Sequence, residues 1–236
     1  MNAMQYTIHI KRQASSSSEP YWQDLSIECD ESTSVAGALR ELNGRTILTD
    51  INGKPADKIA YECGCMVRKC GACAMRINGI PRLACSTFLG SLKGKKLILE
   101  PLSKFPLVKD LIVDRLAIFK KLEQVSIWLE DNPFMSEQTK VQRYKSASCI
   151  MCGCCLEVCP NFTADNDFSG AIAAVNAYRI LDEEQNIAHK NELSEKYKKN
   201  YYEQCGKSLA CHDICPIGLP VEELIVRSNA AAVWKR

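Results

Sequence analysis

Apolar and polar residues alternate along residues 6–10 and residues 25–29 of the chain. A two-residue period is typical of a strand with one buried face, so these segments predict a β-hairpin. Cys29 falls on the apolar face of the second segment, where core packing is the expected role of its thiol. A further strand is expected at residues 97–99, and the N-terminal region is therefore predicted to be rich in strands.

One helix and a second hairpin complete this region. Ser34 precedes apolar residues at helical spacing and is a suitable N-cap, while the Asn-Gly pair at residues 43–44 predicts the helix end. A second Asn-Gly pair, at residues 78–79, predicts a tight turn. That turn would bring Cys85 back toward Cys73.

The pattern changes after residues 101–106, where two prolines predict a connector. Three later segments have apolar residues at helical spacing: residues 107–129, 169–182 and 221–234. Pro220 suits the first turn of the last helix, and the charged residues 190–199 predict a solvated helix face. We therefore predict an α+β chain with a β-rich domain at residues 1–105 and a helical domain at residues 106–236.

Charge and composition narrow the possible partners. The chain has 236 residues, with 30 Lys and Arg against 28 Asp and Glu, and this balance gives no electrostatic case for a nucleic acid partner. No uncharged apolar run approaches the roughly 18 residues of a membrane span, and the first residues lack the apolar core of a secretory signal. We therefore expect a cytoplasmic chain whose thiols stay reduced and free for metal, which disfavours a disulfide framework.

Eleven of the fourteen cysteines fall into three runs with the short spacings of iron–sulfur ligands. The runs are Cys65-x4-Cys70-x2-Cys73-x11-Cys85, Cys149-x2-Cys152-x2-Cys155-x3-Cys159-Pro160 and Cys205-x5-Cys211-x3-Cys215-Pro216. The first begins like the loop of a plant-type [2Fe–2S] ferredoxin, although its fourth cysteine comes sooner. Zinc remains an alternative at the first run, since zinc sites also use closely spaced cysteines.

The second and third runs form an internal repeat of the two-cluster ferredoxin motif, in which the fourth cysteine binds the other cluster. This rule assigns four thiolates, Cys149, Cys152, Cys155 and Cys215, to one cluster. It assigns three, Cys159, Cys205 and Cys211, to the other, because Ser208 occupies the remaining place. Three thiolates predict a [3Fe–4S] cluster; the alternative is that Ser208 or water holds a fourth iron.

Three cysteine runs of this kind predict a carrier of single electrons. A redox sensor is the competing class, but it would require a DNA-binding element and a basic patch, and the sequence contains neither. Cys63 and Cys154 lie beside predicted ligands, and packing or contact with those ligands is the expected role of both. His212 follows Cys211, where it could hydrogen-bond near the three-iron cluster or remain an ordinary side chain.

Over nearly its whole length the chain resembles the iron–sulfur subunit of succinate dehydrogenase and fumarate reductase. The resemblance includes the three cysteine runs in this order and the segment PLSKFPLVKDLIVD at residues 101–114. It implies an N-terminal β-grasp-like [2Fe–2S] ferredoxin domain and an all-helical bacterial-ferredoxin-like domain. It also implies the same [2Fe–2S], [4Fe–4S] and [3Fe–4S] ligand sets, the first being Cys65, Cys70, Cys73 and Cys85.

By that resemblance, the dicarboxylate reacts at an FAD on a separate flavoprotein subunit. The chain would relay electrons between that flavin and a quinone at a membrane anchor, and would lie peripherally on the inner face of the cell membrane. Ubiquinone-using members carry tryptophan and histidine where Ala164 and Gly206 stand, so a menaquinone-type partner is favoured. Pro160 carries over as a quinone-side residue. A related soluble complex with a non-quinone partner is the alternative.

Overall fold

The computed structural model describes residues 3–234, which divide into two units between Asp114 and Arg115. The predicted domain boundary lay between residues 105 and 106, so the structure includes residues 106–114 in the first unit. The outer limits of the predicted domains, Met1 and Arg236, lie outside the described residues.

The first unit is built on a mixed sheet whose strands follow the alternating pattern of the sequence. Its elements are β1 (Met4–Arg12), β2 (Tyr21–Cys29), α1 (Val35–Gly44), β3 (Leu48–Thr49), β4 (Pro55–Ala56), β5 (Ala74–Ile77), β6 (Ile80–Leu83) and β7 (Lys96–Glu100). Five strands pair in the order β2-β1-β7-β5-β6, with β1 and β7 parallel and the other pairs antiparallel. Both predicted hairpins are confirmed.

Helix α1 contacts this sheet and begins at the predicted cap. The Ser34 hydroxyl accepts a hydrogen bond from the Gly37 amide, and the helix ends at Gly44 as the Asn-Gly pair predicts. Its apolar face is buried and consists of Val35, Ala36, Ala38, Leu39 and Leu42. Cys29 is also buried, which confirms its predicted place in the core.

The helix predicted over residues 107–129 is wrong in its first part. The segment contains a small hairpin, β8 (Leu107–Lys109) and β9 (Ile112–Val113), and then α2 (Leu116–Gln124). Asp110 lies in the turn of this hairpin and has a positive φ of 46°. Its carboxylate accepts hydrogen bonds from the backbone amides of Gln13 and Ala60 over 3.1 and 2.9 Å. The buried guanidinium of Arg12 lies 3.1 Å from the same carboxylate. These partners are distant in sequence, so local periodicity could not reveal them.

The second unit contains helices and no strand within its described residues, as predicted. After α2 come α3 (Lys140–Ala147), α4 (Cys154–Glu157), α5 (Gly170–Glu183), α6 (Ile187–Tyr197) and α7 (Val221–Asn229). Helix α5 is almost wholly buried and contacts each of the other five helices, because its many alanines let them approach closely. Among residues 3–234, no helix combines the length and apolar content that crossing a bilayer requires.

Candidate iron–sulfur sites

The first site lies where the loop of residues 65–70 meets the hairpin of β5 and β6. Cys73 directly precedes β5, and Cys85 lies in the short 3-10 turn after β6. The amide of Cys85 donates to Cys73 Sγ over 3.4 Å. Both side chains are buried, whereas Cys65 is half-buried and Cys70 is exposed. The site therefore extends from the core of the unit to its surface.

The loop is shaped to stabilise a thiolate at Cys65. Met66 and Arg68 have positive φ values of 56° and 60°, and the amides of Lys69 and Val67 donate to Cys65 Sγ over 3.1 and 3.4 Å. These hydrogen bonds lower the pKa of the Cys65 thiol to about 7, because they favour the charged form. A thiolate is the form that binds iron, so this loop fits a cluster ligand.

Side-chain contacts bring the other sulfurs of the first site together. Cys70 is one of the groups that lower the pKa of Cys65, and the Cys85 amide and side chain act on Cys73 in the same direction, although burial raises the pKa of Cys73 overall. Burial, the hydrogen bond with Cys73 and the charge of Cys65 together raise the pKa of Cys85 to about 11. These pairwise interactions place the four thiols in one region of the unit, and four thiolates are what a [2Fe–2S] core requires.

The second site is a cavity of about 30 Å³ in the helical unit. Four cysteines line it: Cys149, Cys152, Cys155 and Cys215. Gly153 and Met151 have positive φ values of 84° and 52°, which turn the chain around the first three of these cysteines. Ile172 and Val175 of α5 share the wall, so the thiols face an environment that is largely apolar.

Cys154 lies beside this cavity and is fully buried. Its side chain is hydrogen-bonded to Cys152, which lowers the pKa of Cys152 to about 7 and raises the pKa of Cys154. Cys154 therefore stays protonated and can donate to the Cys152 sulfur. This contact favours the predicted role of Cys154 as a neighbour of a ligand.

The third site is a larger cavity of about 340 Å³. Three cysteines line it: Cys159, Cys205 and Cys211. Ser208 lies in the same wall. Burial, followed by the charge of Cys159, raises the pKa of Cys211 to about 11. Tyr201 of the wall is buried, and burial, Tyr197 and the charge of Cys205 raise its pKa. The sequence motifs did not identify Tyr201, although an aromatic residue four positions before Cys205 could have suggested it.

The two cavities divide the cysteines of the repeat in a crossed manner. Cys159 follows Cys155 by four residues, yet it lines the third site, while Cys155 lines the second. Cys215 follows Cys211 closely, yet it lines the second site. Within residues 3–234, no three Cys, His, Asp or Glu side chains converge closely enough to hold a single metal ion.

Pro160 and His212, which the sequence analysis also singled out, lie at the surface near the third site. Pro160 is exposed and directly follows Cys159. His212 is also exposed, and its Nδ1 and Nε2 atoms lie 2.9 Å from Glu222 Oε2 and 3.2 Å from Asp213 Oδ1. The ring of His212 therefore contacts carboxylates, and it lines an open cavity of about 790 Å³ that also includes Cys215.

Family comparisons define the class of the protein. Residues 7–120 match the family described as a 2Fe-2S iron-sulfur cluster binding domain. Residues 145–219 match the 4Fe-4S dicluster domain. The chain is thus an iron–sulfur protein with one domain for a [2Fe–2S] cluster and a second domain for two clusters.

Whole-chain comparisons identify the family. The chain is 31% identical over 230 residues to the succinate dehydrogenase iron-sulfur subunit of Bacillus subtilis (strain 168), with 93% of this chain and 89% of the relative covered. It is 29% identical to the fumarate reductase iron-sulfur subunit of Haemophilus influenzae, covering 84% and 81%. The chain belongs to the family of succinate dehydrogenase and fumarate reductase iron–sulfur subunits.

A solved structure supports the same fold. A chain of the Mycobacterium smegmatis Sdh1 complex in the apo form aligns with a TM-score of 0.77 and 20% identity, covering 99% of this chain and 98% of that one. The predicted family, the α+β fold class and the iron–sulfur cofactors are confirmed by these comparisons. A [3Fe–4S] cluster is typical of this family.

Proposed function

We propose that the chain relays single electrons through three clusters with separate ligand sets. Cys65, Cys70, Cys73 and Cys85 hold the [2Fe–2S] cluster; Cys149, Cys152, Cys155 and Cys215 hold the [4Fe–4S] cluster; Cys159, Cys205 and Cys211 hold the [3Fe–4S] cluster. The crossed lining of the two cavities carries this proposal, because it groups seven cysteines into the four and three that the ferredoxin repeat requires.

The bound clusters supply one-electron carriers, and the chain itself determines their surroundings. Buried apolar walls exclude water, while backbone amides and thiols donate hydrogen bonds to ligand sulfurs, and both effects set reduction potentials. The electrons would pass between the FAD of a flavoprotein subunit and a quinone at a membrane anchor. In this role the chain is a non-catalytic relay, positioned on the inner face of the cell membrane.

A menaquinone-type partner is favoured at the three-iron end, near Pro160. A Cβ atom at Gly206 would lie 3.0 Å from Asn161 Nδ2, and Asn161 donates to the Gln204 carbonyl over 2.7 Å. A histidine at position 206 would therefore require the Asn161 side chain to shift by a few tenths of an ångström. The histidine expected of ubiquinone-using members is missing from the sequence, and the position that it would occupy is closely packed against Asn161.

EPR spectroscopy with iron and sulfide counting on anaerobically purified protein tests the clusters. We expect three distinct centres, one of them paramagnetic when oxidised, as a three-iron centre is. The chain without its partner subunits should not oxidise succinate. Zinc in place of iron, or succinate oxidation by the isolated chain, would contradict the proposal.

Purification from the native membrane tests the partners. Recovery of the chain with a flavoprotein and an apolar anchor subunit would support the quinone relay. Recovery of an active complex from the soluble fraction, without an apolar subunit, would instead support the alternative of a soluble fumarate reductase-like complex. Reconstitution with menaquinone and ubiquinone analogues would then compare the electron acceptors directly.

A further inference from the structure

Asn161 links the two segments of chain that carry Cys159 and Cys205. It follows Cys159 by two residues and lines the third site. Its Nδ2 atom donates a hydrogen bond of 2.7 Å to the Gln204 carbonyl, 43 residues further along the chain. That carbonyl belongs to the peptide group that joins Gln204 to Cys205. One side chain therefore connects the segments of two of the three proposed ligands of this site.

The same side chain also lies against the residue on the other side of Cys205. A Cβ atom added to Gly206 would have the Nδ2, Oδ1 and Cγ atoms of Asn161 as its three nearest neighbours, at 3.0, 3.3 and 3.6 Å. The Asn161 amide group is thus close to both residues that flank Cys205. Residues 206–210 are all exposed, so no buried side chain of that stretch anchors the ligand.

The backbone of Asn161 is itself fixed by its neighbours. Its carbonyl accepts a hydrogen bond from Asn166 Nδ2 over 2.7 Å, and the Asn166 carbonyl accepts one from Lys121 of α2. Lys121 is buried, and so is Phe162, which directly follows Asn161. The Asn161 side chain is exposed, but it extends from a backbone that the rest of the unit holds in place.

We propose that Asn161 is a positioning residue that fixes the spacing of Cys159 and Cys205 and thereby retains iron in the third site. The inference rests on the proposed function, in which both cysteines bind the [3Fe–4S] cluster. Each of these cysteines is one of only three protein attachments of that cluster, whereas the cluster of the second site has four. Correct spacing of the ligands therefore matters most at the third site.

The expected effect is on the cluster rather than on the fold. Water would satisfy the Gln204 carbonyl if the Asn161 side chain were removed, because the contact lies at the surface. The helical unit should therefore remain folded without this side chain. Water would not connect the two ligand segments, so the spacing of Cys159 and Cys205 would no longer be fixed.

Chelator challenge of the anaerobically loaded full-length chain tests the proposal with Asn161→Ala and Asn161→Asp. The aspartate keeps the size of the side chain but replaces the Nδ2 donor with an oxygen, which repels the Gln204 carbonyl. We expect the EPR signal of the oxidised three-iron centre to decay about fivefold faster in Asn161→Ala than in the wild type, and faster still in Asn161→Asp. The line shape of that signal should differ from that of the wild type before the challenge, because the ligand spacing has changed.

Two references show whether the effect is local. The signal of the reduced [2Fe–2S] centre should decay at the wild-type rate in both variants, since its ligands belong to the first unit. Asn132→Asp makes the same substitution at an exposed asparagine between α2 and α3. It should leave the decay and the line shape of the three-iron signal unchanged.

The outcomes separate this inference from the proposed function. A wild-type chain without the oxidised three-iron signal would overturn the proposed ligand set. A wild-type signal together with an unchanged decay and line shape in both Asn161 variants would overturn only the positioning role. If the [2Fe–2S] signal of these variants decayed faster by the same factor, Asn161 would act on the whole chain, and the inference would be wrong.

Discussion

At the scale of single residues, local surroundings lower the pKa of some cysteine thiols and raise the pKa of others. Cys65 receives two backbone amides, and its pKa falls to about 7. Cys73 is buried in the same site, and burial raises its pKa. Iron binding must remove a proton from the Cys73 thiol. By contrast, the loop of residues 65–70 provides a thiolate at Cys65 near neutral pH. The loop is therefore the expected point of first contact between iron and this site.

Ser208→Cys tests the number of irons in the third site. Ser208 lines the cavity with Cys159, Cys205 and Cys211, so a thiol there completes a set of four ligands. We expect the variant to bind a four-iron centre and to lose the EPR signal of the oxidised protein. Ser208→Ala is the control and should keep that signal, unless the hydroxyl already holds a fourth iron. An unchanged spectrum in Ser208→Cys would contradict the alignment of the repeat.

The sequence predicted how the candidate cysteines of the repeat group around the two cavities, but it did not predict the other residues of the cavity walls. Spacing alone identified the eleven cysteines, because a cluster demands several sulfurs within a short length of chain. It did not reveal that Tyr201 lies in the wall of the third site. The wall of that site depends on how separate segments fold together, and the aromatic residue four positions before Cys205 was a local signal that cysteine spacing does not include.

At the scale of elements, the start of α5 sets the packing beside the second site. Gly170 has a positive φ of 68°, and a Cβ atom there would lie 2.2 Å from Leu156 Cδ2. Leu156 belongs to α4 and directly follows Cys155. The close approach of α4 to α5 thus requires glycine at this position, both for its backbone conformation and for its lack of a side chain.

Gly170→Ala should destabilise the helical unit and impair its clusters. We expect a loss of about 2–4 kcal/mol, since both left-handed strain and overpacking contribute. Gly218→Ala is a matched control, because Gly218 has a similar φ of 72° but no atom within 4 Å of the added Cβ. It should cost only about 1–2 kcal/mol. Unfolding curves and iron content measure the difference, and equal effects would exclude the contact with Leu156.

Glu184 stabilises the turn between α5 and α6 in a pH-dependent way. Burial alone would raise its pKa, but the amides of Glu130 and Asn186 donate to the carboxylate over 2.8 Å and lower the pKa overall. A lowered pKa means that the carboxylate stabilises the fold above its unfolded pKa of about 4.3. That stabilisation is lost as the pH falls through the lower, folded value.

Glu184→Gln should therefore be less stable than the wild type at pH 7, by about 1–2 kcal/mol. The difference should shrink as the pH falls below about 4, because the wild-type carboxylate then becomes protonated as well. Chemical unfolding at several pH values measures it. Glu195→Gln, an exposed change on α6, should have little effect at any pH. A difference for Glu184→Gln that grew in acid would contradict this account.

The sequence predicted the helices and strands that a local pattern specifies, but it did not predict the element that contacts between distant residues stabilise. The alternating strands, the Ser34 cap and the Asn-Gly turns all gave correct elements. The hairpin of β8 and β9 was mistaken for helix, because its few apolar residues fit a helical period equally well. Its turn is stabilised by Asp110, whose partners belong to β1 and the chain before the first site.

At the scale of the whole molecule, each unit contains its own core and all the cysteines of the ligand sets proposed for its clusters. The first unit has the sheet and the cysteines from Cys63 to Cys85, and the second has α5 and the seven cysteines of the repeat. The pattern change at residues 101–106 indicated two domains. It could not reveal that the small hairpin after it belongs with the first unit.

A fragment of residues 1–114 should therefore fold and assemble the [2Fe–2S] cluster without the second unit. A fragment of residues 1–105 lacks Asp110, which leaves the buried Arg12 guanidinium without its carboxylate partner. Removal of one member of a buried ion pair costs about 3–5 kcal/mol, enough to unfold many small domains.

Thermal unfolding and the EPR signal of the reduced [2Fe–2S] centre would compare the two fragments. Asp110→Ala in the fragment of residues 1–114 is the decisive control, because it removes the carboxylate and keeps the chain length. We expect this variant to lose stability and cluster content as the shorter fragment does. If the shorter fragment were as stable and as well loaded as the longer one, the ion pair would not be what ties the hairpin to the first unit.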